Sequence, residues 1–317
     1  MSQIFTLAHL SDVHLAPLVG FAPGSWGVKR FTGYVNWHLR RARVHLRGVV
    51  DRIVADMLAM KPDHIVVTGD LANIGLPLEL ERAREWLAGL GPPERVTVIP
   101  GNHDIYARVG RDSGVARWKD YMVSNAQGAA FVSAHAAAEP YFPFVRRLGD
   151  IALIGVNSAV PTPPLLATGI VGGEQLERLG AILDRLREAD LLRIVLIHHP
   201  PLPGQASRTR GLVDAEAMAE TLARHGAELV LHGHNHRNML AWCTGSAADI
   251  PVIGVASASI GRPHGEEPLG RYNLYRIGAR QGRPHIEMIG RGLARPDGEV
   301  VELDRRWIGA ARAPAQA

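Results

Sequence analysis

Short apolar runs recur along the chain, and stretches with helical spacing separate most of them. Such runs are typical of strands that are buried on both faces of a sheet. They predict strands at Ile4–Leu10, His64–Thr68, Arg95–Ile99, Ile151–Asn157, Arg193–His198 and Leu229–Leu231. Apolar positions that repeat every three to four residues predict helices at Leu46–Met60, Pro77–Leu90, Gly173–Glu188 and, after an N-cap at Asp214, up to His225. The pattern indicates an α/β fold.

The C-terminal part has a different pattern. Runs at Pro251–Ala256, Tyr272–Ile277 and His285–Ile289 predict short strands, which we expect to form an antiparallel edge of a second sheet. Residues 106–149 give no clear prediction, and residues 310–317 are expected to be a disordered tail. No repeat or linker divides the chain, so residues 1–309 are predicted to form one domain with an insertion at 15–45.

Polar side chains with metal-binding chemistry stand at the carboxyl ends of five predicted strands, where α/β sheets place their ligand sites. In chain order they are Asp12 and His14, Asp70, Asn102 and His103, His198, and His234 and His236. Taken singly each pattern is weak, because Asp-x-His is common and Gly-His-Asn-His is more often a surface turn. Their succession indicates one metal site, in which Gly233 lets the backbone turn closely.

The segment from Val13 to Val50 holds no acidic residue and interleaves basic with aromatic side chains. These are Lys29, Arg30, Arg40, Arg41, Arg43 and Arg47, with Phe21, Trp26, Phe31, Tyr34 and Trp37. One interpretation is an insertion that packs its aromatic residues on the main body and leaves its arginines in solvent. The other is a lid beside the site, whose residues 15–47 would suit a phosphorylated, partly apolar substrate or an anionic membrane surface. Nucleic acid is not expected, because no reader motif accompanies the charge.

The amino-acid composition restricts the class of protein and its cellular location. The chain has 317 residues, of which 46% are hydrophobic and 21% are charged, enough for a large core. Cys243 is its one cysteine, which excludes an internal disulfide and a thiolate metal cluster and reads as a small buried hydrophobic residue. No apolar run reaches the ~18 residues of a membrane span and no secretion signal is visible, so a cytoplasmic location is expected. The net charge of +4 mildly favours anionic partners.

The ordered motifs between Leu7 and Arg237 resemble the calcineurin-like metallophosphoesterase superfamily, and within it the bacterial class III cyclic-nucleotide phosphodiesterases. The resemblance implies a four-layer αββα sandwich, in which two mixed β-sheets are flanked by helices and a binuclear metal site lies between the sheet ends. It implies that Asp12, His14, Asp70 and His236 bind the first metal, that Asn102, His198 and His234 complete the second, and that Asp70 bridges the two. His103 resembles the residue that contacts the scissile phosphate and protonates the leaving group.

The donor set also indicates the chemistry. Nitrogen and oxygen ligands suit Mn, Fe, Zn or Co, with Mn or Fe favoured. Two divalent or trivalent ions beside only two carboxylates leave a positive site that favours a phosphate oxyanion. A hydroxide that bridges metals ~3.5–4 Å apart would attack phosphorus in line, with His103 assisting the leaving group. The expected enzyme is a metal-dependent phosphodiesterase that acts on a phosphorylated small molecule or a lipid-linked substrate.

One position departs from the family pattern. Many relatives have an acidic residue three positions after the bridging aspartate, where this chain has Asn73. We expect the Asn73 amide to orient the His103 imidazole while stabilising its cationic form less than a carboxylate would. This departure favours diesters or pyrophosphate-linked substrates over phosphomonoesters.

Two alternatives stay open. The first is a UDP-2,3-diacylglucosamine-type pyrophosphate hydrolase at the membrane surface, which the basic and aromatic segment would suit. The second is a non-catalytic metal-binding interaction module, which the intact ligand set disfavours. His199 fits a pocket lining or a turn equally well. The remaining histidines are assigned to the core, to the surroundings of the site or to the surface: His9, His38, His45, His135, His225, His232, His264 and His285.

Overall fold

The computed structural model describes residues 4–22, 27–107, 114–132, 142–246, 248–263, 265–280 and 283–308. Its strands are β1 (Phe5–Leu10), β2 (His64–Val67), β3 (Val96–Val98), β4 (Phe144–Leu148), β5 (Ile151–Gly155), β6 (Leu192–Leu196), β7 (Leu229–His232), β8 (Met239–Cys243), β9 (Ile250–Gly254), β10 (Arg271–Arg280), β11 (Arg283–Leu293) and β12 (Val300–Ile308). Its helices are α1 (Val28–Leu39), α2 (Arg47–Ala59), α3 (Pro77–Leu90), α4 (Gly173–Glu188) and α5 (Ala215–His225). Trp26, His135, His264 and the tail at 310–317 lie outside the described residues.

The described strands form two six-stranded sheets. The first has the order β12-β11-β10-β1-β2-β3, with β1 to β3 parallel and β10 to β12 antiparallel. The second has the order β4-β5-β6-β7-β9-β8, in which β5, β6, β7 and β9 are parallel and the edge strands β4 and β8 are antiparallel. Both sheets are therefore mixed, as predicted.

Two apolar cores separate four layers. The first core joins the sheets to each other through residues such as Leu10 and Leu231, and joins the first sheet to Ile53 of α2 and Leu87 of α3. The second core lies between the second sheet and helices α4 and α5, with Leu183 among its members. The predicted αββα sandwich is confirmed.

The C-terminal strands differ in part from their prediction. The run at Pro251–Ala256 forms β9, which pairs in parallel with β7 inside the second sheet and is not an antiparallel edge. All five residues of β9 are buried, as an interior parallel strand requires. The runs at Tyr272–Ile277 and His285–Ile289 are antiparallel as expected, but they extend the first sheet, because β10 pairs with the free side of β1.

Strands β4, β8 and β12 gave no clear apolar run, and all three lie at sheet edges. An edge strand with one face in solvent mixes polar and apolar side chains, which weakens the signal. β12 shows this most strongly, since it is exposed along most of its length. None of the described helices is long and apolar enough to cross a membrane.

The insertion is partly helical. It contains α1 and a 3-10 turn at Arg41–Arg43. Trp37 is buried on the inner side of α1, whereas Arg40 and Arg43 are exposed. For these three residues the insertion packs its aromatic ring inward and solvates its charges, as the first interpretation expects. Arg41 differs from these two arginines, because it is partly buried.

His64, the first residue of β2, couples this fold to pH. It is 1% exposed, and its Nε2 atom lies 2.7 Å from Thr97 Oγ1. Burial, together with the nearby Arg146, lowers the pKa of His64 from 6.5 to about 3. The folded protein therefore holds a neutral ring, while the unfolded chain takes up a proton below pH 6.5. Its contribution to stability is complete above that pH and is lost as the pH falls toward 3.

Between pH 7 and pH 5, we expect the wild-type protein to lose about 2 kcal/mol more of its free energy of unfolding than His64→Gln does. Urea unfolding at the two pH values measures the difference. His38→Gln, on the exposed side of α1, is the control and should follow the wild type. Equal losses in wild type and His64→Gln would contradict the lowered pKa.

Candidate metal centre

The carboxyl ends of strands from both sheets meet and bring the eight predicted site residues together. Asp12 and His14 follow β1, Asp70 follows β2, Asn102 and His103 follow β3, His198 follows β6, and His234 and His236 follow β7. The side chains are buried, except that His103 is partly exposed. Because three of the five strands belong to the first sheet and two to the second, the cluster lies across the junction of the sheets.

The first group of donor atoms belongs to Asp12, His14 and His236. These atoms lie within 4.8 Å of one another. His14 Nε2 is 3.3 Å from His236 Nε2, which is itself 3.2 Å from Asp12 Oδ1. This is a compact set of two nitrogens and one oxygen.

The second group belongs to Asp70, His198 and His234, whose donor atoms also lie within 4.8 Å of one another. Asn102 Oδ1 is 2.9 Å from His234 Nδ1 and 3.1 Å from His198 Nε2. Asp70 Oδ2 stands between the groups, 3.4 Å from His198 Nε2 and 3.9 Å from His14 Nε2. A ligand shared by two ions would have this position.

The donor atoms are spaced as ligands around a cation are. Two ligands 2.1 Å from one ion lie about 3.0–3.4 Å apart in octahedral or tetrahedral geometry. His14 Nδ1 faces the Ala72 carbonyl at 3.0 Å and His198 Nδ1 faces the Thr68 carbonyl at 2.6 Å, so each Nδ1 donates and each Nε2 turns its lone pair into the site. Lone pairs this close repel unless a proton or metal ion lies between them. The two groups therefore fit a dimetal site.

Backbone strain is concentrated in the same residues. Five of them have left-handed backbone with φ between 41° and 69°: Asp12, His14, Asp70, His234 and His236. Such a conformation costs a non-glycine residue about 1–3 kcal/mol and is held by its surroundings. A Cβ atom at Gly233 would overlap Ser11 Oγ and Asp12 Oδ2, so the close turn predicted at this glycine is confirmed.

The carboxylates hold positive charge in both groups. Burial lowers the pKa of His198, but the Asp70 carboxylate more than offsets this and raises it to about 9. Burial likewise opposes the charged form of His236, and Asp12 with Glu267 raises its pKa to about 9. Each carboxylate thus stabilises positive charge at the imidazole beside it. Metal ions would compete with protons here, so their affinity should fall at low pH.

The sequence pattern of the family described as calcineurin-like phosphoesterase matches residues 5–238. The chain belongs to the calcineurin-like phosphoesterase family. The resemblance inferred from the motifs is confirmed, and this calcineurin-like phosphoesterase is a metal-dependent phosphoester hydrolase.

Relatives of this calcineurin-like phosphoesterase include two bacterial proteins. A probable cyclic nucleotide phosphodiesterase of a Synechococcus strain is 28% identical over 200 residues, which cover 61% of this chain and 67% of the relative. A cAMP/cGMP dual specificity phosphodiesterase of Mycobacterium tuberculosis is 28% identical over 263 residues, which cover 80% and 67%. A dimetal phosphatase structure from Danio rerio shares the fold, with a TM-score of 0.58, 15% identity, and coverage of 94% of this chain and 98% of the other.

In this phosphoesterase Arg41 contacts His103. The sequence did not distinguish Arg41 from the other basic residues of the insertion. Arg41 Nη1 lies 2.8 Å from His103 Nε2. The Nε and Nη2 atoms of Arg41 are shielded from solvent and have no hydrogen-bond partner among the described residues. The insertion therefore delivers a guanidinium with unused donors to the metal centre, which agrees with the second interpretation of this segment.

Asn73 does not orient His103 through its amide, so that expectation is wrong. His103 Nδ1 contacts the main-chain carbonyl of Asn73, while the side-chain Nδ2 of Asn73 donates to the Leu15 carbonyl at 3.0 Å. A carbonyl oxygen only accepts, so His103 Nδ1 carries the proton and Nε2 accepts from Arg41. The backbone and Arg41 fix the ring, and the identity of the side chain at 73 matters less than predicted.

Two carboxylates that support the site were not predicted to do so. Glu267 Oε2 lies 3.1 Å from His236 Nδ1 and turns that ring toward Asp12. Asp104 accepts backbone N–H bonds from Asp70 at 2.8 Å and from Gly101 at 2.8 Å, which ties the loops after β2 and β3 together. Asp104 had a sequence signal, since it closes the Gly-Asn-His-Asp motif, but Glu267 stands 31 residues from its partner and had none.

The other histidines near the centre of this phosphoesterase are buried, and His199 uses both of its ring nitrogens within the protein. His199 is buried and lies 2.8 Å from Ser158 Oγ and 3.2 Å from the Ala167 carbonyl. His45, assigned to structure or surface, is 3% exposed and packs its ring 4.6 Å from that of His14. His9 and His232 are buried in strands, as expected. Cys243 is also buried, in agreement with its assignment.

A cavity of about 490 Å³ opens above the cluster. Asp70, Asn102, His103, His234 and His236 form its floor. The insertion contributes Lys29, Arg40, Arg41 and His45 to the lining, and a second part of the lining contains Leu165, Leu166, Ala167 and Arg210. The lining therefore brings four cationic side chains to the metal centre, next to the carboxylates of Asp70 and Glu267.

Proposed function

We propose that this phosphoesterase is a phosphodiesterase that hydrolyses a small nucleotide-like diester, with cyclic nucleotides as the first candidates. The observation that carries the proposal is the metal centre in a cavity whose lining combines cationic side chains with Leu165 and Leu166, which suits a phosphate group that carries organic substituents. A volume of about 490 Å³ is in the range of small-ligand sites. The relatives named above as cyclic nucleotide phosphodiesterases support the same substrate class.

We propose the following ligand set: Asp12, His14, Asp70 and His236 for one ion, and Asp70, Asn102, His198 and His234 for the other. The spacing of their donor atoms supports it. Nitrogen and oxygen donors suit Mn or Fe, whose presence can be measured in the isolated protein. When bound, the ions would supply Lewis acidity toward the phosphoryl group and lower the pKa of water at the site.

The protein's own contribution is to hold charge and a proton near phosphorus. The free Nε and Nη2 donors of Arg41 are suited to the equatorial phosphoryl oxygens, where negative charge develops. As Arg41 turns to these oxygens, it releases His103 Nε2, which can then face the oxygen of the leaving group. The assistance by His103 that the sequence predicts therefore depends on Arg41.

The Mn-loaded protein should hydrolyse bis-p-nitrophenyl phosphate with a kcat/KM at least about tenfold above that for p-nitrophenyl phosphate, a difference of about 1.4 kcal/mol. The same preparation should hydrolyse cyclic AMP or cyclic GMP. An equal or higher kcat/KM for the monoester would contradict the proposal. UDP-2,3-diacylglucosamine is tested alongside, since preference for it would favour the pyrophosphate alternative, which the relatives do not favour.

A further inference from the structure

Helix α1 has an apolar face that points away from the protein. Four residues on this face have exposed fractions of 38% to 71%: Val28, Phe31, Val35 and Leu39. Their spacing of three, four and four residues places them in one stripe along the helix. A surface helix normally turns such a stripe to the core, so the orientation of α1 requires another explanation.

Contacts on the inner side of α1 explain why its apolar stripe faces outward. Trp37 is buried, Arg30 donates to the Gly75 carbonyl at 2.7 Å, and Lys29 Nζ lies 2.6 Å from Thr162 Oγ1. A Cβ atom at Gly33 would overlap Tyr106 Oη, so the helix backbone sits directly on the cavity wall. Polar anchors on the inside thus fix the apolar stripe on the outside.

The charged side chains of the insertion around the stripe are all basic. Arg40 and Arg43 are exposed just after it, and no acidic residue occurs between Val13 and Val50. An isologous contact between two copies would place these arginines against their own equivalents, which costs energy. An anionic lipid surface complements both features, because it accepts apolar side chains below its headgroups and attracts arginines at their level.

We propose that the outer face of α1 docks on an anionic membrane surface through Val28, Phe31, Val35 and Leu39, with Arg40 and Arg43 against the headgroups. Leu165, which lines the same cavity and is 92% exposed, adds a second apolar point at its mouth. Docking would bring the mouth of the active site to the membrane–water interface. This inference concerns where the enzyme works and does not depend on the substrate proposed above.

Co-sedimentation of the full-length protein with vesicles of phosphatidylglycerol and phosphatidylcholine tests the proposal. We expect binding to mixed vesicles that weakens at high salt, and little binding to pure phosphatidylcholine. A Val28→Ser/Phe31→Ser/Leu39→Ser variant should bind these vesicles at least about tenfold more weakly than the wild type. The binding of an Arg40→Gln/Arg43→Gln variant should no longer depend on the salt concentration. The matched control is Val213→Ser/Leu303→Ser/Trp307→Ser, which removes exposed apolar residues elsewhere and should bind as the wild type does.

The substituted stripe residues do not line the cavity, so the serine variant should keep the wild-type rate on a soluble diester without vesicles, which shows that it is folded. A protein that ignores anionic vesicles, or a stripe variant that binds like the control, would overturn the proposal. Conversion of a dimer to a monomer by the stripe substitutions would assign the face to a second copy, and binding of polyglutamate in place of vesicles would assign it to an acidic protein. Vesicle binding without any diesterase activity would contradict the proposed function but not the proposed membrane docking.

Discussion

Asp70→Ala is expected to lower the kcat for diester hydrolysis about 10³-fold or more. Asp70 Oδ2 lies between the two groups of donor atoms, within 3.4 Å of His198 and 3.9 Å of His14, so its removal weakens both at once. Polarisation of a phosphoryl group by a metal ion contributes several kcal/mol, and about 4 kcal/mol corresponds to 10³-fold. Initial rates with bis-p-nitrophenyl phosphate measure the loss of activity, and mass spectrometry of the metal content measures the loss of metal binding.

Two further variants make the Asp70 result interpretable. Asp70→Asn keeps the shape of the side chain and removes its charge, so a folded Asp70→Asn protein with the same loss separates chemistry from misfolding. Asp51→Ala removes an exposed carboxylate that pairs with Arg47 at 2.8 Å and should behave as the wild type. If Asp70→Ala retained a tenth of the wild-type activity, Asp70 would not be a shared ligand.

For Arg41→Ala we expect a loss of about 10²–10³-fold in kcat with metal content unchanged, because one preorganised donor to a developing oxyanion contributes this much. Arg41 lines the cavity, and its Nη1 lies 2.8 Å from His103 Nε2, while its Nε and Nη2 have no hydrogen-bond partner within the described part of the chain. The KM should change less than kcat, since the contact strengthens as charge develops. Arg41→Lys keeps the charge and loses the fork of donors, so it should recover only part of the rate.

Arg43→Ala is the matched control, because Arg43 belongs to the same 3-10 turn and is exposed. Its activity on a soluble diester should equal that of the wild type. If activity fell by a similar factor in Arg43→Ala and Arg41→Ala, the cause would be the overall positive charge of the segment and not a specific role of Arg41. A loss below about threefold in Arg41→Ala would remove Arg41 from the mechanism.

The arrangement of the metal centre was predictable because its signals are local. Each candidate ligand follows a strand whose apolar run is visible, and parallel strands bring their carboxyl ends to one edge of a sheet. Asp12 and His236 are far apart in the chain, yet each is marked by its own strand end. The order of the motifs then sufficed to indicate the family and, through it, both sheets.

The residues that escaped prediction depend on tertiary packing. Arg41 is one of six basic residues in the insertion, and nothing in its neighbourhood in sequence distinguishes it from Arg40 or Arg43. Tertiary packing around the turn at Arg41–Arg43 decides which arginine contacts His103. The role expected for the Asn73 side chain was wrong for a similar reason, because sequence does not show whether a residue acts through its side chain or its carbonyl group.

The position of the cluster across the junction of the sheets has a consequence for folding. Ligands on loops from both sheets can converge only after the two halves of the sandwich have come together, so a high-affinity cation site is a property of the assembled protein. An ion bound there is a cross-link between layers, and by linkage it favours the native state by RT ln(1 + [L]/Kd). The catalytic activity and the association of the two sheets would thus depend on the same ions. Removal of the ions by a chelator would therefore lower the stability of the sandwich as well as the activity.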